Sequence, residues 1–200
     1  MPTKTETALQ IIAARGGTVR TSEALSAGIH PRILYALRDG GQLVRLARGL
    51  YRLSDLPPVG DPDLALVAGR IPKGVVCLIS ALAIHNLTTQ IPHEIHLAIS
   101  RTARYPAFDE VPLAVFRFSR KSFIAGVTSH DLGGTSVRVF DAEKSIADCF
   151  KYRNKIGLDI TLEALALYKN RRGASMQRVL EYARVNRVEN MIRPYLEAST

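Results

Sequence analysis

Between residues 30 and 52 arginine keeps returning: Arg32 and Arg38, with His30 and Tyr35 among them, in a first run, then Arg45, Arg48 and Arg52 in a second. A guanidinium is planar, permanently charged and forked. It suits a phosphate, or the N7 and O6 edge of guanine, which it meets with two parallel hydrogen bonds. A tyrosine among such arginines adds a flat amphipathic contact. The chemistry these residues offer is recognition of a polyanion, not bond making.

Other constellations point elsewhere when their spacing is tested. Asp61 and Asp63 have the D-x-D spacing of a two-metal site, but they flank Pro62 in a linker, where capping a helix is the expected role. His93 and His96 are three apart in a segment expected to be a strand, which sends them to opposite faces, and no further ligand completes a metal shell. His85 is expected as a partly buried, hydrogen-bonded histidine. Cys77 and Cys149, 72 positions apart, sit in apolar runs and are expected in the core. Asp141, Glu143 and Asp148 cluster at a helix start, where negative charge offsets the helix dipole. No phosphate-binding glycine loop, dinucleotide fingerprint or nucleophile elbow occurs. A second basic run is more suggestive: Lys151, Arg153, Lys155, Arg171 and Arg172 are candidates for secondary phosphate contacts. We therefore expect no catalytic site, no cofactor and no metal.

The elements that would carry the arginines follow from periodicity and punctuation. Residues 5–14 have helical apolar spacing and end at Gly16-Gly17. After an extended Thr18-Val19-Arg20, a helix of about two turns begins at Thr21 and stops at Gly28. His30-Pro31 opens a third helix, because proline at the first helical position lacks only an N–H that would have had no partner. Ile33, Leu34 and Leu37 then face inward and the polar residues outward. Gly40-Gly41 breaks the helix, and QLVRLARGLYRL predicts two strands joined at Ala47-Arg48-Gly49. Short helix, glycine turn, second helix and hairpin make a winged helix-turn-helix with a basic recognition helix beside a basic wing.

Leu56 to Pro62 is proline-rich and predicts a boundary between a winged-helix domain over residues 1–56 and a second domain over 61–200. In the latter, DLALVAGRI predicts a helix, VVCLIS a buried strand, and Ser80 the cap of a helix ALAIHNL. EIHLAIS, VPLAVFRF, VTSHDL and VRVF predict further strands, with a turn at Gly133-Gly134. Residues 141–200 predict helices throughout, opened by Asp141, Gly157 and Ser175. The fold class is therefore α/β (α+β): a winged helix-turn-helix, then a mixed α/β domain ending in helices.

Composition agrees with that organisation. The 200 residues hold 27 Lys and Arg against 18 Asp and Glu, a net charge of +9, and residues 1–55 carry eight basic to four acidic side chains. Such an excess attracts nucleic acid first. No run approaches the roughly 18 uncharged apolar residues of a membrane span, and the N-terminus lacks the apolar core of a signal peptide. A cytoplasmic protein without a membrane partner is the expectation.

Four strings go beyond general form: GQLVRLARGLYRL, ISALAIHNL with TTQIP after it, DAEKSIADCFKYRNKIGLD, and EYARVNRVENMIRPYLEA. In their order and spacing they resemble the AbiEi antitoxins of AbiE-type (type IV) toxin–antitoxin systems. The resemblance implies an N-terminal winged helix that represses its own operon by binding inverted repeats of double-stranded DNA. It also implies a C-terminal antitoxin domain that counteracts a nucleotidyltransferase-like toxin, with or without a stable complex. Matched position by position, it places the DNA contacts at Arg32, Tyr35 and Arg38 in the third helix and at Arg45, Arg48 and Arg52 in the wing. Two other readings compete: a ligand-sensing winged-helix regulator with no antitoxin role, and an enzyme targeted to nucleic acid by its winged helix.

Overall fold

A computed structural model describes residues 3–56, 61–132 and 135–197. The chain falls into two compact units, residues 1–72 with 130–137, and residues 73–129 with 138–200.

The first unit begins with α1 (Lys4–Ala14), whose Thr3 cap accepts from the backbone N–H of Glu6 while the Glu6 carboxylate returns to that of Thr3. This reciprocal pairing satisfies amides that every helix start leaves open. β1 (Thr18–Arg20), α2 (Thr21–Ser26), α3 (Pro31–Asp39), β2 (Leu43–Ala47) and β3 (Leu50–Leu53) follow. Ala8, Ile12, Val19, Ala24, Ile29, Leu34, Leu37, Leu43, Tyr51 and Leu53 close into one buried cluster. The three strands form an antiparallel sheet in the order β1-β3-β2.

The expected linker lies partly at residues 57–60, outside the described residues. α4 (Pro62–Arg70) was expected to open the second domain. Instead it belongs with the first unit. Its Gly69 sits over the Leu50 side chain, and the Gly69 carbonyl accepts from Arg20 Nε. Asp61 caps this helix by accepting from the Leu64 N–H at 2.9 Å, as expected.

The other sheet is five-stranded, in the order β6-β5-β4-β8-β7, from β4 (Val75–Val76), β5 (Ile95–Ser100), β6 (Leu113–Phe118), β7 (Val127–Asp131) and β8 (Ser136–Phe140). It is mixed: β4 runs antiparallel to β5 and parallel to β8, and β5 parallel to β6. The short helices are α5 (Leu78–Ile84) and α6 (Arg120–Ile124), and α7 (Ala142–Ile156), α8 (Leu158–Lys169), α9 (Met176–Asn186) and α10 (Glu189–Glu197) complete the chain. Asp141, Gly157 and Ser175 stand at the starts of α7, α8 and α9 as expected.

Two local expectations are corrected. VVCLIS is a strand for only two residues: α5 starts at Leu78 with Cys77 as its cap, and Ser80 lies inside the helix. A short apolar run fits a buried strand or a buried helix equally. The Ser80 hydroxyl accepts from the His96 N–H at 3.0 Å and so ties α5 to β5. The second surprise is α6, which Ser119 caps by accepting from the Ser122 N–H at 3.4 Å. The expected turn at Gly133-Gly134 lies outside the described residues.

Candidate nucleic-acid interface

α3 owes its start to His30, whose Nδ1 accepts from the Arg32 N–H at 3.2 Å, and to Pro31 at its first position. Gly41, at φ +72°, turns the chain out of the helix, a conformation glycine adopts without steric cost. Leu34 and Leu37 are fully buried, so the helix is fixed by its inner face. Burying two leucines contributes about 1.5–3 kcal/mol each. The opposite face presents Arg32, Tyr35 and Ala36 to solvent, with Tyr35 43% exposed.

Arg38 stands at the edge of that face. Its guanidinium carbon is 5.3 Å from the centre of the Tyr35 ring and its Nη2 is 2.7 Å from Asp39 Oδ1. The two side chains around it therefore orient it along the helix. Arg32 has no side-chain partner among the described residues and reaches outward unpaired.

In the wing, β2 is the sheet edge. Its register with β3 shifts between Arg45 and Ala47, and Val44 and Arg45 are both exposed. Arg45 Nε donates to the Ala47 carbonyl at 3.2 Å, which lays the side chain along the strand. Arg48 is exposed at the turn beside Gly49, which adopts φ +74°. The Gly49 carbonyl accepts from the Thr21 N–H at 2.9 Å, fixing the turn against the start of α2.

Arg52 departs from expectation. It was expected to decorate the wing, yet it is only 6% exposed and donates from Nη1 to the Leu56 carbonyl at 3.4 Å. The cause is β1, which pairs with β3 at Thr18↔Arg52, Val19↔Tyr51 and Arg20↔Leu50. A hairpin has two edges and an open face, but here β3 is the middle strand and all four of its residues are buried.

Three residues join the surface that sequence alone passed over. Ala36, four positions after Arg32, is on the same exposed face and offers a methyl group of the kind that meets thymine. Val44 is 50% exposed on the wing. Arg70, at the end of α4, donates from Nη1 to the Arg48 carbonyl at 3.2 Å and adds a cation at the wing turn. The helical spacing of Ala36 was a readable signal, whereas Arg70 was hidden by placing α4 in the other domain.

In the second basic set two arginines are engaged by backbone carbonyls. Arg171 Nη2 donates to the His85 and Asn86 carbonyls at the end of α5, and Arg153 Nη1 folds back to the Phe150 carbonyl at 3.2 Å. Arg172 is exposed. Lys151 and Lys155 lie on α7 over the aromatic rings of β6.

Among the described residues no group of three or more His, Cys, Asp and Glu side chains is placed to hold a metal ion. His96 is buried, and His85 Nε2 lies 2.7 Å from the Phe140 carbonyl. Cys77 and Cys149 are fully buried, and burial pushes both thiols well above their ordinary range, away from the thiolate a nucleophile requires. No helix of the described residues is long and apolar enough to cross a membrane.

Residues 6–54, the span that holds α1 to β3, match the family model of the AbiEi antitoxin transcriptional regulators. The AbiEi match ends at the last wing residues and leaves the second unit outside it. Among curated proteins no relative matches the chain significantly. Among solved structures, the RV2827C protein from Mycobacterium tuberculosis overlays with a TM-score of 0.47 at 16% identity, covering 98% of this chain and 82% of that one.

Proposed function

We propose that the chain is a DNA-binding autorepressor and the antitoxin of a two-gene toxin–antitoxin system, acting by binding and not by catalysis. The AbiEi match supports a regulatory antitoxin role, and the exposed face of α3 supports the mode of contact. In this reading α3 enters a major groove, Arg32, Tyr35 and Ala36 meet base edges, and Arg45 and Arg48 in the wing hold flanking phosphates. His30 keeps the helix start in place, and Arg38 reaches the duplex by exchanging Asp39 for a phosphate. Arg52 supports the wing from within. The partner gene encodes a nucleotidyltransferase-like toxin, and the operator is an inverted repeat in the chain's own promoter.

The observation that carries this reading is that one helix buries Leu34 and Leu37 while its far side offers an unpaired arginine and a half-exposed tyrosine. Binding of a labelled promoter duplex tests it. Arg32→Ala is expected to weaken binding by about 1–3 kcal/mol, and the wild-type affinity is expected to fall steeply with added salt. Unchanged affinity in Arg32→Ala/Arg48→Ala would overturn the assignment. Co-expression with the adjacent gene tests the antitoxin role: relief of growth arrest supports it, and a neighbour harmless on its own refutes it.

A further inference from the structure

The sheet face under α7 in the second unit gathers aromatic rings that are not all buried. Register places His96 and Ala98 of β5 beside Ala114 and Phe116 of β6, so His96, Phe116 and Phe118 share one face. The His96 and Phe116 rings stack at 5.6 Å with 23° between planes. Tyr152 from α7 meets Phe116 edge-on at 5.2 Å and lies 5.6 Å from Phe118. Phe116 and Tyr152 are only half-buried.

Two lysines stand over these rings. Lys155 Nζ is 5.8 Å from the Phe116 centroid, and Lys151 Nζ is 5.7 Å from Tyr152 and 5.8 Å from Phe118. Neither ammonium has a carboxylate within ion-pair distance among the described residues. Burial holds Lys151 below its ordinary pKa against the opposing pull of the Asp148 carboxylate. Lysines that merely shield core rings gain little from such contacts, whereas an incoming phosphate would supply the missing anion.

We propose that this face is a binding site for an unpaired nucleotide of a single-stranded nucleic acid, with a base stacked on Phe116 against the Tyr152 side chain and its phosphates held by Lys151 and Lys155. Lys155, exposed and flexible, swings off the Phe116 ring to admit the base and then meets the phosphate. A duplex is excluded because its base faces are already stacked on one another, leaving only edges and backbone. The site is separate from the winged helix and does not depend on its reading.

The test uses fluorescence anisotropy of the full chain with labelled twelve-residue oligothymidylate, oligouridylate and a duplex of mixed sequence. Both single strands are expected to bind, with Lys155→Gln and Phe116→Leu each weakening them about tenfold. The two arms show whether the sugar matters. For single strands, log affinity falls by about 0.7 per phosphate contact for each unit of log salt, so Lys155→Gln is also expected to flatten the salt slope by about that much. Arg32→Ala/Arg48→Ala is expected to leave single-strand binding unchanged. The proposal is overturned if the single strands do not bind, or if Lys155→Gln binds them with wild-type affinity and slope. It is equally overturned if the loss follows the winged-helix variant instead. Because Lys155 is exposed, that variant decides the matter even if Phe116→Leu does not fold.

Discussion

Lys144 and Asp148 form an ion pair one turn apart on α7, and neither side chain is exposed at all. The Lys144 ammonium lies 4.3 Å from the Phe140 centroid and 5.0 Å from that of Phe118. Asn186 Nδ2 of α9 donates to Asp148 Oδ1 at 2.6 Å, and Ser122 Oγ of α6 donates to Asn186 Oδ1 at 2.7 Å. One buried chain of polar groups thus joins three helices.

Breaking this pair on one side is expected to be costly, since the remaining charge stays buried without a partner. Lys144→Met should lower the unfolding free energy by about 3–5 kcal/mol, while Lys144→Met/Asp148→Leu should recover most of the loss. Urea denaturation of the three proteins checks this. A double variant as unstable as the single one would show that the pair stabilises the fold beyond the repair of its own burial.

Asp148 also makes stability depend on pH. Burial is the largest influence and holds its carboxyl above the ordinary aspartate range, against the opposing pull of Lys144 and Asn186. A raised folded pKa means that the unfolded chain gives up its proton first. The contribution is therefore fully present below the unfolded value of about 3.9 and lost as pH rises through the folded value. Relative to Asp148→Asn, the wild type is expected to lose stability across that window and then level off, as melting curves at stepped pH will show.

Arg48 and Arg52 should separate affinity from stability. Arg48→Ala removes an exposed wing cation and is expected to weaken operator binding while changing stability by less than about 0.5 kcal/mol. Arg52→Ala removes a buried side chain that holds the Leu56 carbonyl, so the melting temperature of the winged helix should fall. Paired anisotropy and thermal melts distinguish them. A stable Arg52→Ala with weakened binding would return this residue to the contact surface.

Gly126 is expected to tolerate no side chain. It adopts φ +69°, and a Cβ there would lie 2.8 Å from Lys144 Cβ and 3.1 Å from Asp141 Oδ2. The stem of a fully buried lysine cannot yield as a flexible tip would. Gly126→Ala should cost more than the roughly 1 kcal/mol of a strained backbone alone, measured by urea denaturation.

What was legible in the sequence is what repeats locally. Helix starts at His30-Pro31, Asp61, Asp141 and Ser175 follow from capping chemistry within four residues, and the inward face of α3 follows from the spacing of Leu34 and Leu37. What was hidden depends on partners distant in the chain. The burial of Arg52 comes from β1, and that of Lys144 from Asp148, Phe118 and Phe140, which enclose it. Charge counting treats every lysine as surface. Only tertiary pairing tells which ones are not.

The parallel pairing of β4 with β8, at Val76↔Val139, sets a timetable for synthesis. When β4, β5 and β6 have left the ribosome, the inner edge of β4 still lacks its neighbour, since β8 begins only at Ser136. Until then the nascent chain carries an open strand edge at Val75 and Val76, two valines that the folded protein buries completely or nearly so.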